Sequence, residues 1–338
     1  MNTLVCIQPG QFEYRESEIP VPGAGHTLLK IKRIGICGTD LHAYEGTQPY
    51  FNYPRILGHE LAAEIVEVNG ESTFVPGDAV TILPYFSCGT CIACRNGTPN
   101  CCVNIKVCGV HADGGMVEYL TVPLEYIIPG GGLTYDELAL IEPLAIGAHA
   151  VRRAGVKPGE VVLVVGAGPI GLGLMAFAHI AGAYVIAADV NVNRLQFCKE
   201  HVNVQHTIDA SVNDVYRRLK EITSGDMASV VFDATGNQGA MQQAFDYMAH
   251  GGRYVLVGLQ KQDLSFNHPE FHKREATLMS SRNATKADFE YVMQCMREGL
   301  VNPQTYITHR ALFANIKDVF AGWLKPGNGV IKAMVEVG

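Results

Sequence analysis

The stretch VVLVVGAGPIGL (161–172), followed by YVIAAD (184–189), decides how this chain folds. No charged residue occurs from Val161 to Ala188, and about 20 uncharged apolar residues are enough to raise a transmembrane helix. The internal punctuation argues otherwise. A β-branched run stops at GAGPIG, a Gly/Ala-rich segment follows, and Tyr184-Val185-Ile186 resumes the strand character. That is strand, turn, helix and strand, and a parallel strand buried on both faces also reads as a continuous apolar run. Gly166, Gly168 and Gly171, with Pro169 and Ile170 between them, form a GxGxxG turn in the context that gives the motif meaning. The glycines permit the tight turn and let the backbone approach a pyrophosphate at a helix N-terminus. Asp189 stands 18 residues beyond Gly171, where an acid binds adenosine ribose hydroxyls and repels a 2′-phosphate. NAD is therefore expected over NADP, with Arg194 over the adenine or at the ribose. The bland alternative is a structural turn with a capping aspartate.

Outward from this unit the alternation continues. Helix-like segments over 170–181, 193–200 and 238–248 separate the strand-like runs VVFDAT and RYVLVGL, which is the pattern of βαβ units and a parallel sheet. The first 150 residues differ. Short apolar runs (27–31, 61–68, 79–83, 116–122) are broken by Pro and Gly, as in a small barrel or sandwich. Beyond Lys286 come a helix-like stretch and a strand-like VIKAMVEV. The 338 residues suit about two domains. A composition 48% hydrophobic and 17% charged is that of a globular chain. The net charge of −7 without a basic block excludes nucleic acid as the main partner. Met1 to Gln11 lack a basic segment leading into an apolar core, so a cytoplasmic protein without membrane association is expected.

Four of the ten cysteines fall at Cys88, Cys91, Cys94 and Cys102. Without a secretory signal this spacing reads as a metal lobe, and four thiolates suit a closed structural zinc site. Cys101 competes with Cys102 as fourth ligand, and an iron–sulfur cluster ranks below zinc. A second donor set is scattered: Cys37 in GICGTD, His59-Glu60 in GHE, and Glu142 in IEPLA. Mixed thiolate, imidazole and carboxylate ligands with an open position characterise catalytic zinc. Taken singly, each residue is better read as a core thiol, a satisfied histidine or a paired acid. Cys37 as nucleophile with His59 as base is a further alternative, but it leaves the glycine motif and the cysteine lobe unused.

GICGTDLH, GHE about 20 residues later, the four-cysteine lobe, the EP segment at Glu142 and VVGAGPIGL together resemble the zinc-dependent medium-chain alcohol and polyol dehydrogenases, over essentially the whole chain. The resemblance implies a β-rich GroES-like catalytic domain (1–146 and 286–338, zinc lobe 85–104) around a Rossmann doubly wound domain (147–285). NAD, substrate and catalytic zinc would lie in the cleft. It implies two zinc ions per chain. Cys37 and His59 are ligands, and Glu60 or Glu142 supplies the carboxylate directly or through water. Thr39 and His42 match the proton relay, and Asp40 the carboxylate that orients the zinc-bound histidine. Val257, Gly258, Leu259, Ser281, Arg282 and Asn283 match segments along the dinucleotide. Tyr44 and Arg282 match substrate-pocket positions. Glutamate at 142, where the ethanol-type branch has cysteine, points to the sorbitol-dehydrogenase-like branch.

Gly46 to Phe51, GVHADGG (109–115), and PEFHKRE with SSRNAT (269–285) are closer still to L-galactonate or L-gulonate 5-dehydrogenases. The expectation is oxidation of a secondary hydroxyl on a sugar acid, with NAD as acceptor and Arg282 facing the substrate carboxylate. A polyol, L-threonine or neutral-sugar dehydrogenase is the alternative within the same machinery. A zinc-stapled nucleotide-binding protein with a vestigial site is the alternative without catalysis. A homodimer or homotetramer is expected, paired through a sheet edge near Tyr254 to Leu259.

Overall fold

The structure is a computed structural model, and it describes residues 1–48, 51–325 and 327–338. It divides into two compact units, 1–142 with 285–338, and 143–284.

The first unit is built on a seven-stranded sheet. Its central strand, His26–Ile36, pairs antiparallel along one edge with Glu60–Asn69. The other edge is shared: Tyr119–Pro123 takes residues 26–30 and Lys332–Glu336 takes residues 33–36. The sheet extends through Ala79–Ile82 to Ile127–Pro129 on one side and to Ile307–Leu312 on the other. Side chains alternate across these strands, so Leu29, Ile31, Leu61, Ala63, Val80 and Ile82 reach the core fully buried. Asn2–Gln8 forms a three-stranded sheet with Gln11–Glu16 and Arg55–Ile56. Tyr85–Phe86 pairs with Lys106–Val107, and all four lobe cysteines lie between these two short strands.

The second unit holds six parallel strands in the order His206–Asp209, Tyr184–Asp189, Val161–Val165, Ala228–Asp233, Met248–Leu256 and Thr277–Ser280. In chain order that is third, second, first, fourth, fifth, sixth: the doubly wound α/β arrangement, with its crevice at the carboxyl ends beside the first strand. The first strand is buried because both its neighbours are strands and helices cover its faces, which explains its unbroken apolar sequence. The helix Pro169–Ile180 packs so closely on the helix Ile141–Ala154 that a Cβ on Gly147 would lie 2.6 Å from the carbonyl carbon of Gly173. Among the described residues, no helix is long and apolar enough to cross a membrane.

Two expectations need correction. Met248–Leu256 is an inner strand, hydrogen-bonded on both sides, with Tyr254 fully buried. The sheet edges are His206–Asp209 and Thr277–Ser280, so pairing between copies through Tyr254 to Leu259 is ruled out. The segment expected to be one helix over 238–248 is a helix, Gln238–Gln243, and a 3₁₀ turn, Ala244–Tyr247; Met248 opens the next strand. Its apolar residues Met241, Ala244, Phe245 and Tyr247 all reach the core, so periodicity alone does not mark the break.

Candidate active site

In the first unit the helix Gly38–Glu45 carries the GICGTDLH residues. Cys37 caps it, and Asp40 reaches back to accept the Cys37 backbone N–H at 2.9 Å. The other Asp40 oxygen accepts the N–H of Gly58 at 3.1 Å, so one buried carboxylate ties together the two segments that present Cys37 and His59. It also lies 3.8 Å from His59 Nδ1. Donor atoms of Cys37, His59 and Glu60 fall within 4.8 Å of one another, with His59 and Glu60 buried. Burial opposes a charge on His59, but Asp40 and Cys37 outweigh it and hold the imidazole well above its ordinary range. His59 Nδ1 is buried without a hydrogen-bond partner in the structure. A soft thiolate, an imidazole and a carboxylate in one buried cluster fit zinc.

Glu142 stands outside that triplet. It sits in the first turn of Ile141–Ala154, where Pro143 costs no hydrogen bond. Its Oε1 accepts the hydroxyl of Tyr85. Burial pushes Glu142 up to about 7, against the pull of His59 and the Tyr85 hydrogen bond. Burial and the neighbouring Glu142 hold the Tyr85 phenol well above its ordinary value, so it stays a donor.

Both oxygens of Glu60 are held by Lys332 Nζ, at 2.6 and 2.7 Å, and the ammonium also donates to the carbonyl of Ile36 at 3.1 Å. The lysine side chain is 2% exposed and the glutamate 0%. Gly35 makes the room, because a Cβ there would fall 2.1 Å from Glu60 Oε2. Sequence reasoning passed over Lys332, Tyr85 and Gly35. The signal for Lys332 was a lysine flanked by apolar residues in VIKAMVEV, a place where lysine is stable only when paired.

Thr39 and His42 lie three residues apart on their helix, hence on one face. His42 is exposed, its Nδ1 3.1 Å from Thr47 Oγ1 and 3.5 Å from a Glu45 oxygen. Tyr44 packs its ring 5.0 Å from Phe12 and 5.1 Å from Phe320. Of the stretch Gly46 to Phe51, Pro49 and Tyr50 lie outside the described residues. GVHADGG is a buttress for the His59 segment: a Cβ on Gly114 would sit 2.4 Å from the Gly58 oxygen, and one on Gly115 2.3 Å from Leu61 Cδ2.

The sulfur atoms of Cys88, Cys91, Cys94 and Cys102 form a second cluster, and Cys101 is exposed outside it. Cys91 and Cys94 are 3.4 Å apart, Cys102 and Cys88 3.5 Å. The backbone N–H of Thr90 leads the hydrogen bonds that pull Cys88 down to about 5, while burial pushes Cys94 up to about 11.

In the second unit Gly166 and Gly171 are forced by packing. Gly166 has φ +102°, and a Cβ on Gly171 would lie 1.9 Å from the Gly166 oxygen. Gly168 differs: only Arg194 Nη1, at 3.8 Å, borders its Cβ position. A side chain there would fill the space in front of the turn, which fits close approach by a phosphate. Asp189 accepts the Ala167 N–H at 2.6 Å and the Asn191 N–H at 2.8 Å. It therefore braces the turn, while each oxygen keeps a second lone pair for a hydroxyl. The capping role belongs to Asn191. Val257, Gly258 and Leu259 follow the fifth strand, and Ser281, Arg282 and Asn283 the sixth, so all leave the sheet at the same carboxyl end as the turn. Ser281 Oγ is buried without a partner in the structure, and Asn283 has φ +54°.

Comparison with known proteins places these clusters in context. Residues 23–131 match the family described as alcohol dehydrogenase GroES-like domain, and 169–298 that described as zinc-binding dehydrogenase. The chain is 46% identical over 339 residues to L-galactonate-5-dehydrogenase of Escherichia coli K12, covering 99% of this chain and 98% of the relative. It is 34% identical to a sorbitol dehydrogenase of Halalkalibacterium halodurans, over 91% and 92% of the two chains. Among solved structures, the NADH complex of an E. coli CFT073 alcohol dehydrogenase, rspB, superposes with a TM-score of 0.93 at 30% identity, covering 99% of both chains. With its GroES-like β unit, parallel α/β unit and two metal-type donor clusters, this chain belongs to the zinc-dependent medium-chain alcohol and polyol dehydrogenase family.

Proposed function

We propose that the enzyme oxidises a secondary hydroxyl of a sugar acid of the L-galactonate or L-gulonate type, with NAD as acceptor and two zinc ions per chain. The reaction class rests on one observation, the buried meeting of Cys37, His59 and Glu60. The substrate class is supported by the near full-length similarity to an L-galactonate-5-dehydrogenase. When bound, zinc supplies Lewis acidity toward the substrate oxygen and the nicotinamide supplies the hydride acceptor. Cys37 and His59 hold the metal, and Asp40 fixes both by holding the backbone at Cys37 and Gly58. Glu60, whose oxygens also accept from Lys332, or Glu142 supplies the remaining carboxylate. Thr39 Oγ1 accepts the substrate's hydroxyl proton as it gives up its own, and His42, exposed three residues along the same helix, releases a proton to solvent. Asp189 selects NAD. Arg282 meets the substrate carboxylate.

The test is a substrate panel read by NADH absorbance: L-galactonate and L-gulonate against sorbitol, L-threonine and neutral sugars. The expected result is the highest kcat/KM on a sugar acid. Preference for a neutral polyol, or for L-threonine, overturns the substrate reading and leaves the dehydrogenase reading standing.

A further inference from the structure

We propose that Tyr85 is a positioning residue for the reaction, acting through Glu142 by holding Oε1 of that carboxylate with its hydroxyl and leaving Oε2 toward the Cys37–His59 cluster. The proposal rests on the dehydrogenase reading above.

Glu142 is a long side chain at a helix start, with three rotatable bonds and a charge that gains from meeting the cluster. Left alone it samples several rotamers, and each reorientation takes the carboxylate away from the Cys37–His59 cluster. Tyr85 removes that freedom. Its ring is 4% exposed and packs edge-on against Phe289 with centroids 6.5 Å apart. Its backbone is fixed by the short pairing of Tyr85 with Val107. The hydroxyl thus comes from a rigid base, and a fixed donor to a charged acceptor is the kind of hydrogen bond that orients. Tyr85 lies three residues before Cys88, and Ser87 between them donates its N–H to Tyr126 at 2.9 Å. The Tyr126 hydroxyl therefore pins the chain two residues beyond the tyrosine.

A buried tyrosine hydroxyl needs some partner, so a purely structural role must be separated from positioning. The experiment is a double-mutant cycle on the holoenzyme: Tyr85→Phe, Glu142→Gln and the pair, with the best substrate of the panel. Tyr85→Phe keeps the ring, and zinc content and Tm should stay near wild type. Loss of a hydrogen bond to a charged group should lower kcat/KM by about 10- to 100-fold, mainly in kcat. Glu142→Gln alone should lose at least as much. In the Glu142→Gln background, Tyr85→Phe should cost less than about 2-fold. A readout independent of turnover is the visible spectrum of the cobalt-substituted protein, which should change with Tyr85→Phe only when Glu142 is present. Equal losses in both backgrounds, or a Tyr85→Phe enzyme within about 2-fold of wild type, would overturn the proposal. If the wild type oxidises nothing in the panel, the sugar-acid reading fails, and the cobalt spectra still decide whether Tyr85 acts through Glu142.

Discussion

Replacing Lys332 by methionine keeps most of the side-chain volume and removes the charge. Glu60 would then be a carboxylate with no solvent exposure and no cation on either oxygen. Breaking a buried pair from one side costs about 3–5 kcal/mol, because the remaining charge is left uncompensated. The upper part of that range applies here: both oxygens lose their donor, and Ile36 loses a third contact. At about 2–4 °C per kcal/mol for a unit of this size, Tm should fall by roughly 8–20 °C. In the wild type the contribution of this pair should not vary with pH between 6 and 9. Burial works against the Lys332 cation, but Glu60 outweighs it and raises the lysine above its ordinary value. A raised lysine contributes fully below its unfolded pKa near 10.4, and the contribution is lost only as pH rises through the folded value. Scanning calorimetry of the zinc-loaded protein at three pH values measures this. Adding Glu60→Gln to Lys332→Met removes the orphaned charge and should recover about half of the loss or more. A single variant melting within about 2 °C of wild type, or a double variant no better than the single, refutes the reasoning.

Three further outcomes are expected. Elemental analysis should give two zinc ions per wild-type chain; Cys91→Ala should lose one and destabilise the fold, and Cys37→Ala should lose the other and abolish turnover with little effect on Tm. Asp189→Ala should weaken NAD binding and narrow the NAD-to-NADP ratio of kcat/KM, and because Asp189 also braces Ala167, binding of both cofactors should fall somewhat. Asp136 lies between Arg33, at 2.8 Å, and Arg310. Burial raises its pKa, but the hydrogen bonds from the two arginines more than offset this and leave it below its ordinary value. Its stabilisation is therefore present at neutral pH and lost as pH falls below about 4. Asp136→Asn should cost about 1 kcal/mol at pH 7 in denaturant unfolding, and much less at pH 3.

The parallel sheet and the cysteine lobe were legible because each obeys a local rule. A buried strand, a glycine turn and a second strand lie within 29 residues, 161–189, and the four thiols lie within 15, 88–102. The catalytic cluster was legible only through resemblance, since Cys37, His59 and Glu142 singly look like core residues. Lys332 and Tyr85 were missed for a different reason. Their roles come from side-chain contacts across 272 and 57 residues, and no local pattern carries either. The helix over 238–248 was overextended because a 3₁₀ turn keeps feeding apolar residues to the core.

The pairing of Lys332–Glu336 with Arg33 to Ile36 also has a consequence in time. Glu60 and Lys332 are 272 residues apart, and at 5–20 residues per second the ribosome needs roughly 15 to 55 s to bridge them. Through that interval the strand His26–Ile36 has an open half-edge, and Glu60 has a carboxylate with no ammonium to meet it. The nascent first unit can collect its cysteines, His59 and the glycine buttress early, yet it cannot close its sheet until the whole second unit has been made. Residues 33–36 therefore stay an unpaired strand edge on that side until the C-terminal strand emerges.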